Sequence, residues 1–271
     1  MGSGIAQVFA QSGFAVGLQD ATPEALVRAR DTITRSLSRL IEKGALSTAG
    51  RDQAIARLSV GTDLDVVSRA DLVVEAITED ADAKRRVFSV IDRLAPSHAC
   101  LASNTSSISI TLLASATGRP DRVVGLHFMN PVPLMALVEV VRGRETSTAT
   151  MAKAHAICQA LGKTAVESAD APGFIANRVL MPMINEAAFT LVEGVGSAEA
   201  IDTVMRLGMR HPMGPLALAD LIGLDVCVAI LDVMRDGLQD DKYEACPLLR
   251  RLVAEGRLGR KTGRGFYEYA G

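Results

Sequence analysis

The sequence predicts an α/β fold. An N-terminal, doubly wound and mainly parallel sheet occupies residues 1-168, and an all-α domain follows over residues 169-271. Three observations carry this reading. The first two-thirds of the chain alternate short apolar runs with amphipathic helical patterns, the grammar of a sheet covered by helices on both faces. One run, Asp71–Ile77 (DLVVEAI), is apolar nearly throughout, as a strand buried on both sides must be. From Asp170-Pro172-Gly173 onward only helical patterns remain. A chain of 271 residues is nearly two domains at about 150 residues each.

Each element has a local reason. Gly2–Ser12 reads as a helix because Ile5, Val8 and Phe9 share a face and Gly13 follows where a helix stops. Phe14–Gln19 is a short apolar strand ending at Asp20. Thr22 stands at the N-cap position with Pro23 behind it, and Pro23–Lys43 carries Leu26, Ile33, Leu37 and Leu40 on one side up to Gly44. A short helix near Ala49–Arg57 precedes the Asp71–Ile77 strand. A helix around Ala81–Leu94, strands at Cys100–Ser103 and Val123–Phe128, a strand at Leu137–Val141, a helix near Thr148–Leu161 and a strand at Thr164–Glu167 continue the alternation. The remainder reads as helices at Phe174–Glu193, Ser197–Leu207 and one long apolar helix over Pro215–Met234.

Composition excludes several classes. Lys and Arg number 29 against 31 Asp and Glu, a net charge of −2, which does not suit a protein built to neutralise a phosphate backbone. Aromatic residues are 4% with no Trp, so a base-stacking platform is not expected. No apolar run reaches the roughly 20 residues of a membrane span, and MGSGIAQ has no leader pattern. Cys100, Cys158, Cys227 and Cys246 form no CxxC pair, so neither a metal knuckle nor a disulfide framework is indicated. The expectation is a cytoplasmic protein without nucleic-acid or membrane partners and without a metal.

Gly2 opens the first helix, and Asp20 ends the strand that follows it. In a dinucleotide-binding unit those are the places of the last fingerprint glycine and of the carboxylate that takes the ribose hydroxyls. The same two residues also read as an ordinary capping glycine and a loop aspartate. Asp20 would favour NAD over NADP, since it meets a 2′-phosphate with like charge.

Longer motifs decide more. SNTSSISI (Ser103–Ile110), HFMNPVP (His127–Pro133), LVEVV, DAPGFIANR (Asp170–Arg178), HPMGPLALADLIGLD and GRKTGRGFY occur in order along the chain. With TPEALVRAR and VVEAITED they resemble the 3-hydroxyacyl-CoA dehydrogenase family, closest to its short-chain 3-hydroxybutyryl-CoA members, from Met1 to Tyr269. The resemblance implies a Rossmann-type NAD domain, and a helical domain that forms a homodimer. It also implies an active site between the two. Its His–Glu pair falls on His127 and Glu139. Imidazole suits the base of an alcohol oxidation because its proton affinity lies near neutrality, and a carboxylate orients it. A lone strand histidine is otherwise a hydrogen-bonded structural residue; the family context selects the catalytic reading.

The remaining sites are likewise implied by the resemblance. Ser106 and Asn177 fall on the family's hydrogen-bonding helpers for the substrate, Glu79 and Lys84 near the nicotinamide half of NAD, and Asn104, Ser106 and Asn130 beside it. Ser36 and Lys43 fall on the coenzyme A site, with Arg35 and Arg39 as equal candidates for a phosphate. Ala136 stands where many members have Lys, and Met129 where an aromatic is frequent. The first strand and the two earlier glycines of the fingerprint precede Met1 in the family pattern, so an upstream extension encoding them is expected. The function implied is NAD-dependent oxidation of a short-chain (3S)-3-hydroxyacyl-CoA, and its reversal. A 3-hydroxyadipyl-CoA substrate and a non-catalytic CoA-binding dimer stand as alternatives.

Overall fold

The structure is a computed structural model that describes residues 1–269. The chain divides into two units, Met1–Asp170 and Ala171–Gly271.

In the first unit, helix α1 (Gly2–Gln11) leads into strand β1 (Val16–Gln19), α2 (Pro23–Glu42), α3 (Thr48–Ala56) and β2 (Leu58–Gly61). Strand β3 (Leu72–Glu75), α4 (Ala81–Leu94), β4 (Cys100–Ser103), α5 (Ile110–Ala114), β5 (Val123–Phe128), β6 (Leu137–Arg142), α6 (Thr148–Ala160) and β7 (Thr164–Ala169) follow. Helix starts are set chemically. Ser47, Asp80, Ser109 and Ser147 each accept the amide three residues on, satisfying a donor that the first turn leaves without an intrahelical partner. Thr22 is different: its side chain makes no cap bond, and its N–H and Oγ1 both donate to Asp20 Oδ1 instead.

The strands form two ladders among the described residues: β1 with β2, and β3-β4-β5-β6-β7. All neighbours are parallel except β5 and β6, which run antiparallel. One face of the larger sheet packs under α1 and α6, with Val124, Leu126 and Phe128 of β5 against Val8, Phe9, Met151 and Cys158. The other residues of β5, Val123, Gly125 and His127, point the opposite way, toward α5 (period two along a strand). There Gly125 allows close approach, since a Cβ on it would lie 2.6 Å from Val141 Cβ and 3.0 Å from Ile110 Cδ1.

The second unit is helical: α7 (Ala176–Val192), α8 (Ala198–Thr203) running into a π-helical turn at Val204–Gly208, α9 (Pro215–Ile222), α10 (Leu224–Leu238) and α11 (Pro247–Ala254). The single long helix expected over Pro215–Met234 is two helices. Gly223, at φ 108°, separates α9 from α10, a conformation that residues with a Cβ rarely adopt. Met181, Ile184, Leu224, Leu231, Met234 and Leu249 meet in its core. Two buried aspartates tie down the C-terminal segment. Asp220 accepts from Phe266 N, Tyr267 N and the Tyr269 hydroxyl, while Asp202 accepts from Leu216 N, Ala217 N and the Tyr267 hydroxyl. No helix of the described residues is long and apolar enough to cross a membrane.

Candidate active site

His127 is the next-to-last residue of β5, and the antiparallel ladder puts it directly opposite Glu139 of β6. Both are buried, 8% and 1% exposed, and His127 Nδ1 lies 2.7 Å from Glu139 Oε2. A carboxylate only accepts, so the proton on this bond sits on Nδ1, and in the neutral ring it is Nε2 that carries the lone pair. Directly opposed residues have Cβ atoms about 5 Å apart, so two medium-length side chains meet without strain. The geometry is that of a general base with its orienting carboxylate.

A second cluster forms at the carboxyl ends of β3 and β4. Glu75, the last residue of β3, accepts from Lys84 Nζ at 2.7 Å and from Ile77 N at 2.6 Å, both on Oε1, and from Ser103 Oγ at 2.6 Å on Oε2. The Lys84 and Glu75 side chains are each 1% exposed, so the charge pair is desolvated on both sides. Lys84 Nζ also lies 3.3 Å from Glu79 Oε2.

Glu79 Oε1 in turn has five donors within reach: Thr105 Oγ1 at 2.6 Å, Ser106 N at 2.8 Å, Ser107 Oγ at 3.0 Å, and Ser106 Oγ and Ser107 N at 3.1 Å. Burial works to raise the Glu79 pKa, but the Thr105 bond, the Lys84 charge and the loop donors outweigh it and hold the group below the usual carboxylate range. One oxygen offers about two lone pairs, so the hydroxyl rotors are oversubscribed and an O–H can turn to a ligand. Asn104 closes the arrangement: its Oδ1 accepts from Phe128 N at 2.9 Å, tying this loop to the strand that carries His127.

A family model described as "3-hydroxyacyl-CoA dehydrogenase, NAD binding domain" matches residues 1–171, and one described as "3-hydroxyacyl-CoA dehydrogenase, C-terminal domain" matches residues 173–269. The chain belongs to the 3-hydroxyacyl-CoA dehydrogenase family. It is 53% identical to a probable 3-hydroxybutyryl-CoA dehydrogenase of Bacillus subtilis over 269 residues, covering 99% of this chain and 94% of that protein. It is 49% identical to a 3-hydroxybutyryl-CoA dehydrogenase of Bradyrhizobium diazoefficiens, covering 100% and 92%. The crystal structure of (S)-3-hydroxybutyryl-CoA dehydrogenase from Ralstonia eutropha superposes with a TM-score of 0.97 at 47% identity, covering 100% of this chain and 96% of the other.

The first unit is thus an NAD-binding domain, and its residues fit the cofactor. Gly2, Ser3 and Gly4 open the ten-residue helix α1, so their amides carry no intrahelical bond and face outward with the positive end of the helix. Gly4 packs closely there: a Cβ on it would lie 3.0 Å from Val132 Cβ, a contact tight enough that Val132 would have to shift. Asp20 follows β1 and is exposed; one carboxylate oxygen is engaged by Thr22 in a local turn. A pocket of about 430 Å³ lies beside this helix start, lined by Ser3, Gly4, Arg35, Ser36, Arg39 and Asn130 among others. Lys43, one residue past the end of α2, is exposed and does not line it.

In the helical unit, Asn177 sits in the first turn of α7 and is buried, 8% exposed. Ala136 is exposed and Met129 half-buried. Sequence reasoning passed over Glu75, Ser103, Thr105 and Ser107. Their signal was present, since Glu75 is a lone carboxylate inside the apolar run LVVEAI, where only a paired charge is tolerated. It also passed over Asp170, whose carboxylate accepts from Ser109 Oγ and the Ile110 and Thr111 amides.

Proposed function

We propose that this chain catalyses the NAD-dependent interconversion of short-chain (3S)-3-hydroxyacyl-CoA, of the 3-hydroxybutyryl-CoA type, with 3-oxoacyl-CoA. The observation that carries the reading is the buried His127–Glu139 pair at 2.7 Å, held by strand register in an NAD-binding domain. The similar proteins bear the names of 3-hydroxybutyryl-CoA dehydrogenases. That favours a short acyl chain over 3-hydroxyadipyl-CoA, and the desolvated acid–base pair speaks against a non-catalytic scaffold.

Oxidation of the alcohol removes a proton from the 3-oxygen and a hydride from C3. His127 Nε2 takes the proton, and Glu139 stabilises the imidazolium that results; in reduction the same nitrogen returns it. NAD, when bound, supplies the hydride acceptor. Ser106 and Asn177 are assigned hydrogen bonds to the substrate, Ser36 with Arg35 and Arg39 the coenzyme A phosphates alongside Lys43, and Asp20 the ribose hydroxyls. Gly2 is assigned to the pyrophosphate, and Glu79, Lys84, Asn104 and Asn130 to the nicotinamide side. The test is NADH consumption with acetoacetyl-CoA. Turnover that is dependent on acetoacetyl-CoA and lost in His127→Gln supports the reading; absence of turnover with NADH saturating refutes it.

A homodimer through the helical unit belongs to the same proposal. Val179, Val195, Leu207 and Met209 of that unit are 69%, 74%, 73% and 60% exposed, large apolar side chains that a second copy would cover. Light scattering that gives twice the chain mass supports it, and the monomer mass at micromolar concentration overturns it. A cytoplasmic location, suited to four buried free cysteines, completes the reading.

A further inference from the structure

Glu75 is itself assigned no contact with substrate or cofactor. It is buried, 4% exposed, at the end of β3, and accepts from Ile77, Lys84 and Ser103. Those bonds nonetheless lead to one place. Through Oε1 it holds Lys84 Nζ at 2.7 Å, and Lys84 reaches Glu79 Oε2 at 3.3 Å; Glu79 Oε1 then gathers the amides and hydroxyls of Ser106 and Ser107. Through Oε2 it holds Ser103 Oγ at 2.6 Å, and that same oxygen accepts from Thr105 N at 3.1 Å. Two routes therefore run from one buried carboxylate to the two ends of the turn that carries Ser106.

Electrostatics explains why the carboxylate must be charged. Lys84 is 1% exposed, and an ammonium so far from water requires a full negative partner within hydrogen-bond reach. Glu79 alone is a poor one: its side chain is 38% exposed, and it already serves the loop donors. With Glu75 in place Lys84 is fixed, and Glu79 is held where the loop can use it.

We propose that Glu75 is a positioning residue for the dehydrogenase reaction, acting through Lys84–Glu79 and through Ser103–Thr105 to fix the Ser106 turn. This rests on the dehydrogenase reading above. It extends that reading to a residue outside the substrate and cofactor contacts.

The test is Glu75→Gln in the full chain. The amide keeps one acceptor but loses the charge and one acceptor site. Two readouts are taken. Hydrogen exchange of the Ser106 and Ser107 amides should rise about tenfold, since the carboxylate that holds them is loosened. The kcat with acetoacetyl-CoA should fall about 10- to 100-fold, the scale of a misplacement of about 1 Å, while the substrate KM and the NADH Kd by fluorescence titration stay within about threefold.

Ser103→Ala, a milder change that cuts only one route, should move both readouts in the same direction and by less. It keeps the question open to measurement if Glu75→Gln fails to fold. Glu75→Asp should recover part of the turnover, because it restores the charge. Unchanged exchange at Ser106 and Ser107 in both variants overturns the proposal. So does a kcat loss no larger than the loss of folded protein, or an NADH affinity that falls in step with kcat. A wild-type chain inactive with acetoacetyl-CoA would instead defeat the dehydrogenase reading and leave the exchange result standing.

Discussion

Replacing Glu139 by Gln keeps the shape of the acid–base pair and removes its charge. The glutamine carbonyl still accepts from His127 Nδ1, so the imidazole keeps its tautomer and its aim. What is lost is the attraction between the carboxylate and the imidazolium that forms as the substrate proton arrives. With Nδ1 and Oε2 at 2.7 Å the two charge centres lie near 4 Å apart. At an effective dielectric of about 20, unit charges at that spacing attract by about 4 kcal/mol. The dipole of the new amide keeps part of this, and Glu139 is 1% exposed, so water does not replace the remainder. The expected loss in transition-state stabilisation is about 2–4 kcal/mol, or about 30- to 1000-fold in kcat. The assay follows NADH formation from (3S)-3-hydroxybutyryl-CoA across pH. A kcat reduced less than about threefold at every pH refutes the pairing as a source of rate.

Further outcomes follow from other contacts. His127→Gln should lower kcat by about 10²–10⁴-fold with little change in acyl-CoA binding measured by calorimetry; retention of a large part of the wild-type rate would reassign the base. Asp20→Ala should reduce the preference for NADH over NADPH, read as the ratio of kcat/KM values, by roughly tenfold, because an exposed carboxylate repels a 2′-phosphate only modestly. Burial, then the bond to Asp220, pushes the Tyr269 hydroxyl up to about 12. A raised folded value means its contribution to stability is whole below the unfolded value of about 10 and is lost as pH climbs through about 12. Circular dichroism should therefore show the chain weakening across that alkaline window. Asp220→Asn should shrink the pH dependence and cost about 1–3 kcal/mol at neutral pH by removing acceptors from buried donors.

Periodicity exposed most of the fold because burial writes itself into the sequence. The runs that became β4 and β5 lie in the sheet interior and are buried throughout, whereas β3, at one end of its ladder, is half-buried and LSVG of β2 lies at an edge, largely exposed, and gives no such run. The break at Gly223 was hidden by flanking residues that are apolar on both sides, so nothing in the pattern marked a change of helix axis. Strand direction was illegible for a different reason. Nothing in VVGLHF or LVEVV says that the second runs against the first, and that antiparallel step is what brings His127 opposite Glu139. The charged cluster was half legible. Glu79 and Lys84 were found by resemblance to family motifs, but Glu75, which binds Lys84 from nine residues away, disappeared into an apolar strand.

The ladder between β5 and β6 has a practical corollary for anyone altering this chain. Because base and carboxylate face each other on one rung of the same pairing, their spacing is inherited from main-chain hydrogen bonds and owes nothing to the connection over residues 129–136. Lengthening or shortening that connection should leave the pair intact so long as the strands re-pair in register. A single residue inserted within either strand is another matter. It turns one partner to the opposite face of the sheet, among Val124, Leu126 and Phe128, and separates the acid–base pair. Tolerance to insertion along this stretch thus maps where geometry is stored: high in the connection, and falling abruptly at Phe128 and Leu137.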